Sequence, residues 1–140
     1  MRKIMIFILL VVLSLCLCGC PKHSEYVDAF YTNIPEGSTW VCENPKISLS
    51  FEDGGFDGVL CIEEREINIS GTKSGFDVDF STYDKNDGFY EDDIWVYYTY
   101  PAFAGKIRLS NGGFSITITE CYEKEFEALI SKTLVFNRGS

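Results

Sequence analysis

Lys46-Ile47-Ser48-Leu49-Ser50-Phe51-Glu52 places an apolar side chain at every second position, the period of a strand with one face in a core and the other in water. The alternation returns in Glu66-Ile67-Asn68-Ile69-Ser70, Phe76-Asp77-Val78-Asp79-Phe80, Lys106-Ile107-Arg108-Leu109-Ser110 and Phe114-Ser115-Ile116-Thr117-Ile118-Thr119. Turns are expected between these runs at Asp53-Gly54-Gly55, Ser70-Gly71, Lys73-Ser74-Gly75, Asp87-Gly88 and Asn111-Gly112-Gly113, where glycine, Asn and Asp tolerate positive φ. Strands recurring every eight to twelve residues or so predict an antiparallel meander of hairpins, an all-β fold.

Eight strands are expected: Trp40 to Phe51 as one long strand bulged at Asn44-Pro45, then 57–63, 65–71, 75–81, 93–100, 103–110, 113–120 and 132–137. Eight is the number at which an up-and-down sheet closes into a small barrel and loses its edges; an open sandwich is the other outcome. Between the last two strands the period changes. Phe126, Leu129 and Ile130 fall at helical spacing with Glu123, Lys124, Glu125 and Glu127 outside, so a short helix precedes the last strand.

The N-terminus has a different grammar. Arg2 and Lys3 lead into an apolar run from Ile4 to Leu17, short of the roughly 18 to 20 residues that span a bilayer as a helix. It is read as a secretory signal over residues 1–19. Residues 20–37 form a tether in which Ser24 is placed to cap a short helix carrying Tyr26, Val27, Phe30 and Tyr31 on one face; an irregular linker is the alternative. Residues 38–140 form the β-domain.

Subtracting Arg2 and Lys3 from 12 basic residues leaves ten against 21 acidic, a formal charge of −11 for the chain after residue 19. Such a domain is repelled by nucleic acid and by anionic head groups, so a basic protein, a cation or a neutral ligand suits it better. Three thiols follow the tether, Cys42, Cys61 and Cys121, which allow at most one internal disulfide in any of three pairings.

Leu17-Cys18-Gly19-Cys20 resembles the lipobox of bacterial lipoprotein signals, with Cys18 where Ala, Ser or Thr is usual. The resemblance implies that Cys20 is lipidated and anchors the chain to the extracytoplasmic face of the cell membrane. Cleavage without lipidation and an uncleaved anchor are the other outcomes. Trp40 near the start of the first strand, after Gly37, and Arg138 just past the last one are similar to the lipocalin or calycin arrangement, in which a tryptophan closes the barrel end and an arginine packs across it. Here Gly37-Ser38-Thr39-Trp40 has one residue more than the usual Gly-x-Trp. With Trp40-Val41-Cys42 at one end and Thr133-Leu134-Val135-Phe136-Asn137-Arg138 at the other, the chain also resembles the uncharacterised small lipoproteins of Gram-positive gut bacteria. That resemblance implies a lipocalin-like domain and brings no chemistry with it.

Catalytic motifs are not evident. The one histidine, His23, lies on the tether, so no base is set beside a cysteine nucleophile, and there is no phosphate loop. Two distant carboxylates would suffice for a glycosidase, but in so small a domain the reading is non-catalytic, without cofactor or metal. Two stretches suggest binding instead. Tyr83 to Asp93 is read as a solvated acidic loop holding Asp84, Asp87, Glu91, Asp92 and Asp93, without the spacing of an EF-hand. Ile94-Trp95-Val96-Tyr97-Tyr98-Thr99-Tyr100 is apolar or aromatic on both faces of a strand. Either the terminal helix or the docked tether covers its outer face, or Trp95, Tyr97, Tyr98 and Tyr100, with Asp84, Asp87, Asp92 and Asp93, make a surface for a protein or envelope polymer. The alternative function is a carrier of a small apolar or amphipathic ligand inside the barrel.

Overall fold

The computed structural model describes residues 33–140. Eight antiparallel strands close in sequence order into one barrel: β1 (Ser38–Glu43), β2 (Lys46–Glu52), β3 (Gly55–Ile62), β4 (Arg65–Ser74), β5 (Asp77–Glu91), β6 (Ile94–Ser110), β7 (Gly113–Cys121) and β8 (Thr133–Arg138). A 3-10 helix, Lys124–Leu129, precedes β8. Closure is made by β1 against β8, with Trp40 opposite Arg138, Val41 opposite Asn137, and the Gly139 amide donating to the Thr39 carbonyl at 2.8 Å.

The expected number of strands is correct, but several of the expected boundaries are not. Asn44-Pro45 is no bulge: Glu43 pairs with Lys46, so the chain reverses there through a tight turn and the single long strand becomes the hairpin β1–β2. The peptide bond of that turn is cis. Conversely, 93–100 and 103–110 are one strand, β6, which runs straight through Pro101. Proline lacks an N–H, but pairing of β6 with β7 begins only at Phe103, so Pro101 lies where one side of the strand has no ladder to break.

Two expected turns are also strand. Ser70-Gly71 lies within β4, where a Cβ on residue 71 would sit 2.5 Å from the Phe80 ring; glycine is there for close approach. Asp87-Gly88 lies within β5. Two other turns carry the left-handed conformation: in Glu63-Glu64, between β3 and β4, and Asp92-Asp93, between β5 and β6, both residues of each pair have positive φ, as a two-residue hairpin requires.

Alternation explains the interior. Ile47, Leu49 and Phe51 of β2 are buried while Lys46, Ser48 and Glu52 face outward, and β7 does the same with Phe114, Ile116 and Ile118. Aromatic rings touch along the barrel in an unbroken series: Trp40 to Phe114 at 5.3 Å, Phe114 to Phe56 at 5.4 Å, Phe56 to Phe80 at 6.3 Å, Phe80 to Phe103 at 5.0 Å and Phe103 to Phe126 at 5.4 Å. Each such side chain, removed from water, stabilises by about 1.5–3 kcal/mol.

Both ends are stoppered. At the Trp40 end, Ile34 is fully buried, the indole N–H donates to Ser38 Oγ at 2.7 Å, and the Ser38 hydroxyl donates to the Pro35 carbonyl, pinning the entry turn beneath the tryptophan. At the other end the 3-10 helix inserts Phe126 and Leu129 into the core, and Arg65 of β4 pairs with Glu125 on its outer side.

Candidate functional site

Two strands outrun the barrel. The β4–β5 ladder ends at Asn68 and Tyr83, and the β6–β7 ladder begins at Phe103 and Cys121, so residues 84–98 have only each other as strand partners among the described residues, and Thr99 and Tyr100 pair with Tyr83 and Thr82 at the barrel rim. At about 3.3 Å per residue, Ile94–Tyr98 carries the hairpin roughly 15 Å beyond the last β4 partner. The expected acidic loop is therefore the outer half of β5, forming one side of a projecting arm, with Asp92-Asp93 as its tip.

The reason it did not read as strand is a bulge. Tyr83 pairs with Thr99 and Gly88 with Tyr97, so Asp84, Lys85, Asn86 and Asp87 stand against Tyr98 alone. Such an insertion erases the period of two and bends the strand. The bulge is held by named contacts: Asp84 Oδ1 accepts from the Asn86 amide at 2.9 Å, Trp95 Nε1 donates to the Lys85 carbonyl at 3.2 Å, and the Tyr100 hydroxyl donates to Asp87 Oδ2 at 3.0 Å. Gly88 restarts the ladder, and a Cβ there would lie 2.2 Å from the Val96 carbonyl oxygen.

The expected surface residues do not form one stripe. Residues directly opposite in an antiparallel pair share a face, so Trp95, Tyr97 and Thr99 lie with Tyr90, Gly88 and Tyr83 on one side, and Val96, Tyr98 and Tyr100 lie with Phe89 and Thr82 on the other. On the first face Tyr83 stacks on Tyr97 at 5.1 Å and Tyr90 meets Trp95 edge-on at 4.9 Å. Tyr83, Trp95 and Tyr97, with Thr99, Asp57 and Ser70, line a groove of about 340 Å³. On the second face Phe89 and Tyr98 are 5.4 Å apart. The terminal helix does not cover the arm, because its apolar residues are spent on the core; the docked tether lies outside the described residues, as does Cys20.

At this site two phenols are raised with help from carboxylates. Tyr83 is pushed up to about 12, first by burial and then by Asp57, whose Oδ1 accepts its hydroxyl at 3.1 Å. Tyr100 is raised by its hydrogen bond to Asp87 and by that residue's charge. Tyr83, Phe89, Tyr90 and Asp57 are not singled out by the sequence; once the hairpin is drawn, register to the Trp95–Thr99 strand finds Tyr83, Phe89 and Tyr90, whereas Asp57 lies on β3, paired with Ser50 and Ser70.

Trp40 and Arg138 lie at the far end of the molecule. Trp40 is buried and Arg138 exposed beside the closing β1–β8 seam, with Ser38 taking the indole N–H. Cys42, Cys61 and Cys121 are all free thiols; Cys42 is a core residue and the Cys121 thiol donates to the Phe126 carbonyl at 3.0 Å. Among the described residues no three His, Cys, Asp or Glu side chains are grouped to hold a metal ion, and no helix is long and apolar enough to cross a membrane. Comparison with protein-family models, with curated proteins and with solved structures found no match to this chain. What the arm offers chemically is amphipathic contact area, carboxylates and unpaired strand edges.

Proposed function

We propose that this protein is a surface lipoprotein, anchored to the extracytoplasmic face of the cell membrane through Cys20, whose barrel holds out the β5–β6 arm as a non-catalytic binding module for a protein or envelope polymer. The observation that carries this reading is where apolar surface is exposed. Six of the ten large apolar side chains left exposed among the described residues, Phe89, Tyr90, Ile94, Tyr97, Tyr98 and Tyr100, are on the arm. Contiguous exposed aromatics with polar tips are a frequent mark of a binding surface. The ring series from Trp40 to Phe126 fills the axis that a carrier would need for its ligand, which favours the arm over the interior.

The test is capture of cell-envelope components by the full-length protein in detergent, compared with a variant carrying Asp84→Asn, Asp87→Asn, Asp92→Asn and Asp93→Asn. The reading expects weaker capture by the variant and a loss of the wild-type signal as salt is raised. Equal capture by both proteins counts against it. Loss of labelled palmitate incorporation in Cys20→Ser tests the anchor separately.

A further inference from the structure

We infer that the outer edge of β6 over Ile94–Tyr100 is a strand-addition site for an extended, basic polypeptide segment; this rests on the arm being the binding surface, and names its partner and mode. The arm has two edges, and they differ. The β5 edge is blunted by the Asp84–Asp87 bulge, which takes four residues out of the ladder and places Asp84, Lys85 and Asp87 on it. Bulges and charges are the devices by which proteins keep an edge from pairing. The β6 edge has neither: Ile94-Trp95-Val96-Tyr97-Tyr98-Thr99-Tyr100 contains no charge and no proline, and its ladder to β5 passes from Tyr97 to Thr99 with Tyr98 as the one residue spanned by the bulge. Pro101 follows at once and marks where an added strand would stop, just before β7 takes over at Phe103. An uncharged, aromatic edge with unpaired backbone groups offers main-chain hydrogen bonds for affinity and alternating side-chain contacts for specificity.

Charge selects the occupant. Asp84, Asp87, Glu91, Asp92 and Asp93 oppose a single Lys85 on the arm, in a chain of formal charge −9. A second copy would set two such arms side by side, like charge on like. A segment alternating Lys or Arg with apolar residues would place its cations near the tip carboxylates and over tyrosine faces while its apolar side chains cover Tyr98 and Val96.

The experiment uses the full-length protein in detergent micelles and four labelled probes: an alternating Lys-Val peptide, its Glu-Val counterpart, and two Lys-Val peptides N-methylated at every other backbone nitrogen, one in each phase. Binding is followed by anisotropy and by hydrogen exchange of amides 94–100. The site predicts that Lys-Val binds, that alternate amides of 94–100 gain protection, that one N-methyl phase binds like the parent while the other does not, and that Glu-Val is weaker by about tenfold or more. Tyr98→Lys should weaken Lys-Val binding with the circular dichroism spectrum unchanged. Equal binding of Glu-Val, or indifference to both N-methyl phases, overturns the inference. So does protection of 94–100 without peptide, whether it grows with protein concentration, which would indicate a second copy, or vanishes on deletion of residues 21–32, which would indicate the chain's own N-terminal segment. If the charge-neutralised variant loses envelope capture while 94–100 gain no protection with Lys-Val, the arm remains the binding surface and only strand addition fails.

Discussion

Phe114→Ala is the perturbation that examines the filled interior most severely. Phe114 is fully buried and touches three rings: Trp40 at 5.3 Å, Phe56 at 5.4 Å and Phe136, nearly parallel, at 4.8 Å. Removing the ring forfeits its burial, about 1.5–3 kcal/mol, and ring-pair terms of roughly 0.5–1.5 kcal/mol each that partly overlap with it. The surrounding strands belong to a closed sheet and relax little into the space. The expected loss is therefore at the upper end of the range for buried Phe→Ala, about 4–5 kcal/mol. In urea, with a slope of about 1–2 kcal/mol per M, the midpoint should fall by roughly 2–5 M, the loss being a large fraction of an ordinary domain's stability. Should the variant lack a native baseline, Phe114→Leu, expected to cost about 1–2 kcal/mol, gives the same reading on a folded protein. A Phe114→Ala protein that keeps its native spectrum and loses less than about 1.5 kcal/mol would refute the packed axis and return weight to a ligand cavity.

Other consequences are checked more simply. An ultraviolet titration should show Tyr83 ionising near pH 12, well above the ordinary phenol value of 10.0. Because the fold favours the neutral phenol, its contribution to stability is whole below about pH 10 and is lost as pH rises toward 12; Asp57→Asn should lower that step without abolishing it, burial being the larger cause. Thiol labelling of the native protein should modify Cys61 before Cys121, whose thiol is raised by burial and then by Glu127, with Cys42 reacting only on unfolding. Glu125→Gln removes the exposed Arg65 pair and should change stability by less than about 1 kcal/mol, against about 3–5 kcal/mol for Phe126→Ala in the same helix; equal effects would show that the helix is not seated by its apolar face. Gly88→Ala should speed hydrogen exchange in residues 88–97 while leaving β1–β4 protected, and unchanged exchange would remove the crowding seen against the Val96 carbonyl.

Lys46–Glu52 made the fold legible because its two faces meet different solvents, so burial is written directly into the alternation. The same holds for Phe114–Thr119. The boundaries misread were those where a residue's local preference is answered by its neighbours. Pro101 looks like a break, yet it lies where β6 has no β7 partner; Gly71 looks like a turn, yet the Phe80 ring occupies the space of its missing side chain. The arm was half legible. Trp95 to Tyr100 announced a strand with too much apolar surface, but the four-residue bulge at Asp84–Asp87 hid its partner, because a strand with an insertion has lost its period and reads as a loop. Tyr83 and Asp57 come together only across three strands, a relation no local pattern carries.

On the proposed function the arm, and not the barrel interior or the opposite end, meets the partner. A photo-crosslinking phenylalanine analogue placed at Tyr98, and separately at exposed Phe76 by the other end of the barrel, in the producing cells tests it directly. A discrete adduct is expected from position 98 that disappears when Asp84, Asp87, Asp92 and Asp93 are neutralised, with none from position 76. Adducts from position 76 alone, or equally from both, would contradict it.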